Sequence, residues 1–69
     1  MKHIRNYKKW GIYEVSPKEI IEYPCSERFA LIHPETMEAL KGTGIRLTPY
    51  DADWFTEQLH LCTEWIDNY

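Results

Sequence analysis

The residues best suited to chemistry in this chain are two cysteines and two of its three histidines: Cys25, His33, His60 and Cys62. As donor types they make up a Cys2His2 zinc set. Their spacing argues against one. Structural zinc sites pair their ligands a few residues apart, whereas Cys25 and His33 are eight apart. His60 and Cys62 are two apart, which on a helix turns them about 200° away from each other. No metal and no cofactor is therefore expected. A thiol or metal protein built on Cys25 and Cys62 is kept as a second alternative.

Cys25 follows Pro24 in a polar stretch, and His33 precedes a proline that suits a helix start. A nucleophilic thiol needs a lowered pKa and an oriented base, and nothing in the local sequence supplies them. There is no Gly-rich phosphate loop, no nucleophile elbow and no H-E-x-x-H. A chain of 69 residues also has little room to enclose a pocket of the usual enzyme size. The expectation is a protein that is not an enzyme.

Two charged stretches remain. Read as one helix, residues 49–67 align Asp53, Glu57, His60, Glu64 and Asp67 along one side, with no Lys or Arg among them. Exposed helices usually mix signs to gain i,i+4 pairs. Here the carboxylates repel one another, as they would on an edge that meets a basic partner. Trp54 and Trp65, eleven residues apart, fall on one side of the same helix and could anchor such an interface.

The other stretch is MKHIRNYKKW. Lys2, Arg5, Lys8 and Lys9, interleaved with Tyr7, could hold phosphates and stack on bases. The same charges could instead lean on acidic surface, within the protein or on a second copy. Net charge runs from +4 over residues 1–10 to −2 over 11–50 and −5 over 51–69. Everything after the head would repel nucleic acid, so pairing with acidic surface fits the gradient better.

These candidates must be positioned by a small set of elements. Residues 1–6 read as loosely held. Trp10–Val15 is rich in aromatic and β-branched residues and predicts a strand, with Trp10 as its first core residue. Ser16-Pro17-Lys18-Glu19 is a capping-box start for a short helix that Pro24 must stop, although Ile20-Ile21-Glu22-Tyr23 also suits a strand. Phe29–Ile32 is a continuous apolar run, as in a buried central strand.

Pro34 to Lys41 predicts a helix with Met37 and Leu40 toward the core, closed by Gly42. Ile45-Arg46-Leu47 alternates like a strand. If it lies beside 29–32, the 34–41 helix is a short right-handed crossover. Thr48-Pro49-Tyr50-Asp51 then opens the long helix. It has Ala52, Phe55, Leu59, Cys62 and Ile66 on its buried face, widened by Trp54, Leu61 and Trp65.

The expected fold class is α+β. A small sheet of three or four strands carries a long amphipathic C-terminal helix and a short middle helix, both on one face. Residues 1–69 make one domain. Hydrophobic content of 43% and charged content of 28% read as globular. No apolar run approaches the roughly 18 residues of a membrane span. With no signal-peptide core, a cytoplasmic location is expected, and the compactness suggests a prokaryotic or phage protein.

The functional expectation is a small interaction protein, an inhibitor or an assembly or regulatory factor. It would bind a protein partner through Asp53, Trp54, Glu57, His60, Glu64, Trp65 and Asp67. The first alternative is a nucleic-acid-binding protein that uses Lys2, Arg5, Tyr7, Lys8 and Lys9. A homodimer is the further alternative, in which a second subunit completes the wide apolar face.

Overall fold

The computed structural model describes all 69 residues. Four strands, β1 (Lys2–Tyr7), β2 (Trp10–Glu14), β3 (Phe29–Ile32) and β4 (Trp54–Thr56), form one sheet in the order β1-β2-β3-β4, with every neighbouring pair antiparallel. Three helices, α1 (Pro17–Glu22), α2 (Pro34–Leu40) and α3 (Leu59–Asp67), complete a mixed α+β chain. No helix is long and apolar enough to cross a membrane.

The basic head is a strand, where the sequence suggested a loosely held end. β1 pairs with β2 through a two-residue turn at Lys8 and Lys9, both at positive φ (49° and 71°). That is the turn geometry whose twist matches a hairpin. The register slips between His3 and Arg5, a bulge that re-aims the side chains at the start of the strand.

β2 and β3 follow the sequence closely. Trp10, Ile12, Phe29 and Leu31 alternate onto one face and pack with Cys62 and Ile66 of α3. Gly11 looks the other way, toward Met37 of α2. All four residues of β3 are buried, as expected for a strand covered on both sides. The helices therefore flank both faces of the sheet. Placing them all on one face, as the sequence suggested, would leave Ala30 and Ile32 in water.

Local helix signals also hold. Ser16 caps α1: its hydroxyl accepts from the Glu19 N–H at 3.2 Å, and the Glu19 carboxylate accepts from the Ser16 N–H at 3.0 Å. At α2, His33 Nδ1 accepts from the Glu35 N–H at 3.0 Å. Met37 and Leu40 are half-buried over the sheet.

The main correction concerns residues 45–67. Ile45-Arg46-Leu47 is not a strand. Gly42 and Gly44, both at positive φ, turn the chain into an irregular outer segment, and the crossover disappears with it. The Thr48 start signal yields one 3-10 turn, Pro49–Asp51, in which the Asp51 carboxylate accepts from the Thr48 N–H at 2.8 Å.

The chain then forms β4, so the long helix is reduced to Leu59–Asp67. The cause is the far edge of β3. Its buried N–H and C=O groups need partners, and Trp54-Phe55-Thr56 is a suitable aromatic and β-branched edge strand. Asp53 fixes the register: its N–H donates to the Leu31 carbonyl at 2.9 Å, and its carboxylate accepts from the His33 N–H at 2.7 Å.

Candidate functional site

β4 and α3 build the most distinctive surface. Register places Trp54 opposite Leu31 and Thr56 opposite Phe29, so both point to the face that α3 covers. α3 lays Trp65 over Trp54, with ring centroids 5.6 Å apart and planes 17° apart. Trp65 in turn meets buried Trp10 edge-on at 5.5 Å, and Trp10 meets His33 at 4.9 Å and Tyr69 at 5.0 Å. A column of rings thus runs from the core to the surface. Trp54 ends it 50% exposed.

Beside this column lies an open groove of about 500 Å³. Its apolar floor is Trp54, Phe55, Leu61 and Trp65, and its charged lining is Glu27, Glu57 and Glu64, with no Lys or Arg. The chain's two ion pairs, Met1 with Glu19 and Lys8 with Asp67, involve none of these three carboxylates. Three negative groups beside two tryptophans make a surface suited to a cationic, partly apolar ligand.

Of the residues that the sequence placed on one helix, Trp54, Glu57, Glu64 and Trp65 come together here, although they arrive from a strand, a turn and a helix. Asp53 is engaged by β3. His60 lies in a separate hollow with Arg5, Ile12, Leu59 and Thr63. Asp67 meets the turn of the β1–β2 hairpin. It accepts from the Tyr7 hydroxyl at 3.0 and 3.1 Å and pairs with Lys8 at 2.6 Å.

The hydrogen bond from Lys8, then that from Tyr7, holds the Asp67 carboxyl below the usual carboxylate range. The same pair raises Lys8. The continuous acidic stripe is therefore replaced by a compact three-carboxylate rim. Glu27 belongs to that rim because β3–β4 pairing carries the residues before Phe29 alongside those after Thr56. No feature of the linear sequence marks it.

The basic residues are dispersed. Lys8 is held by Asp67, and the Tyr7 ring already carries Arg5 at 5.4 Å and Lys8 at 5.6 Å. Arg5 borders the hollow on the α3 side, whereas Lys9 lines one on the α2 side with Glu35, Glu38 and Lys41. Lys2 lines a third hollow, with Arg28 and Arg46.

The cysteines are equally separate in character. Cys25 is exposed, and Cys62 is buried with its Sγ 3.0 Å from the Thr56 hydroxyl. Burial pushes the Cys62 thiol up, with the Thr56 hydrogen bond opposing. No three His, Cys, Asp or Glu side chains are grouped so as to hold a metal.

No protein-family model, no curated protein and no solved structure matches this chain.

Proposed function

We propose that this chain is a non-enzymatic interaction protein that binds a protein partner through the β4–α3 groove, acting as an inhibitor or as an assembly or regulatory factor. One observation carries this reading: stacked Trp54 and Trp65, open to solvent at Trp54, beside three carboxylates that have no basic neighbour in the groove. Half-exposed aromatics next to charged groups are typical anchors of protein interfaces. The unpaired negative charge would steer a basic partner and speed its association. The action is occlusion or scaffolding.

The test is capture of partners from host lysate at low salt, after nuclease treatment, by the wild type and by an E57K/E64K variant. The reading expects a protein that the wild type retains, that salt releases, and that the charge-reversed variant fails to bind while its circular dichroism is unchanged. Nucleic acid captured in untreated lysate, with no protein left after nuclease and loss in Lys9→Ala, would refute it and move the function to the β1–β2 hairpin.

A further inference from the structure

We infer that the groove takes an arginine side chain of an extended segment on the partner, with its guanidinium stacked on the open face of Trp54 and paired to Glu57 and Glu64. This rests on the proposed docking role of the β4–α3 face and specifies what that face selects.

The argument starts from the tryptophan stack. Trp65 covers one face of Trp54 at a near-parallel 17°. Half of Trp54 remains exposed, which leaves part of the residue available for a further layer. The best-matched layer for an indole is a planar cation, which gains from the ring quadrupole and lies flat on it. Elsewhere in this chain the aromatic faces near cations are already used: Arg5 and Lys8 over Tyr7, and Arg28 over Phe29. No internal cation sits over Trp54 or Trp65, and no Lys or Arg lines the groove. A cation on this face would therefore come from a partner.

The carboxylates favour guanidinium over ammonium. A guanidinium presents several N–H donors in one plane and can bond carboxylates at its edge while its face stays on the ring. An ammonium is a compact, strongly hydrated charge and gains less from a flat partner. Glu57 and Glu64 approach the groove from the turn after β4 and from α3, and Glu27 from the segment before β3. The rim is thus negative on more than one side.

The location fixes the form of the ligand. β4 is the last strand of the sheet, so the groove opens along a free strand edge. An extended segment can lie there and direct alternate side chains toward Trp54. Leu61, 37% exposed on the groove floor, meets an apolar neighbour of the arginine. A second copy of this chain docking face to face is disfavoured, because the two sets of carboxylates would meet.

The experiment is a titration of the full 15N-labelled chain with three blocked peptides at low salt. They are Gly-Arg-Leu-Arg-Gly, its lysine counterpart and its citrulline counterpart, which keeps the planar shape without the charge. The readout is the indole N–H resonances of Trp54 and Trp65, assigned with Trp54→Phe and Trp65→Phe. The expected result is affinity about tenfold higher for the arginine peptide than for the lysine peptide, with the weakest binding for citrulline. The arginine preference should be lost in E57Q/E64Q, whose exposed substitutions leave the fold intact.

Equal affinity for the arginine and lysine peptides, with weaker citrulline binding, would overturn the arginine pocket and leave the acidic docking face standing. Unmoved Trp54 and Trp65 resonances with all three peptides would overturn both.

Discussion

Replacing Thr56 by Ala separates two accounts of the C-terminal half, because they require opposite signs. In a continuous helix from Pro49 to Asp67, a mid-helix Thr→Ala change should stabilise by up to about 0.7 kcal/mol through helix propensity. In the structure Thr56 ends β4 and is 6% exposed. Its hydroxyl donates to the Gln58 carbonyl at 3.1 Å and lies 3.0 Å from Cys62 Sγ. Loss of that hydrogen bond costs about 1 kcal/mol. Loss of the buried methyl costs about 0.8 kcal/mol, and the weaker strand propensity adds a few tenths.

The expected destabilisation is therefore about 2 kcal/mol. That is a large share of the roughly 3–10 kcal/mol available to a chain of this size. Urea unfolding followed by tryptophan fluorescence should show it directly. With a slope near 1 kcal/mol/M, the midpoint should fall by about 2 M. Thr56→Val keeps the branched shape and should show about half the loss. A Thr56→Ala variant as stable as the wild type, or more stable, would refute the β4 assignment and restore the long helix.

Three other expectations follow from particular contacts. A Cβ on Gly11 would lie 2.6 Å from Met37 Sδ and 2.8 Å from Tyr13 Cε1, so Gly11→Ala should cost about 1–2 kcal/mol by forcing those side chains aside, read as a drop in Tm. A thiol reagent near neutral pH should label exposed Cys25 quickly. Buried Cys62 should follow only at the rate of unfolding, and equal labelling rates would contradict its burial. The Asp67 carboxyl is lowered by Lys8 and Tyr7, so its contribution to stability is present above its unfolded-state pKa and fades as pH falls through the folded value. Lys8→Ala should raise the Asp67 titration midpoint toward the ordinary carboxylate range in a carboxyl-detected NMR titration, and an unchanged midpoint would refute the pairing.

The groove shows where linear reasoning reaches its limit. A shared helix would put Trp54 and Trp65 on one side. They do stack, but across a strand and a helix, so their proximity depends on β3–β4 register. Glu57 and Glu64 stay with them for the same reason. Asp53 and Asp67 leave because each finds a nearer partner, the His33 N–H and the Lys8–Tyr7 pair. Glu27 joins from the segment before β3. A carboxylate's place in a site depends on what lies opposite it, and periodicity does not contain that information.

The sequence by itself determined the features that are local in origin. Pro34 opens α2, and the Ser16–Glu19 box offers a start for α1, although Ile20–Tyr23 suited a strand as well and the structure decided for the helix. The alternation at Trp10–Glu14 and the apolar run at Phe29–Ile32 define the two central strands. Each rests on contacts within a few residues or on simple burial. Only the tertiary structure decided the fate of residues 45–67 and the two-sided placement of the helices. A strand with both faces buried must also pair both edges. Satisfying the outer edge of β3 outweighs the helical spacing of Ala52, Phe55 and Leu59, and the same pairing brings two tryptophans and three carboxylates to one groove.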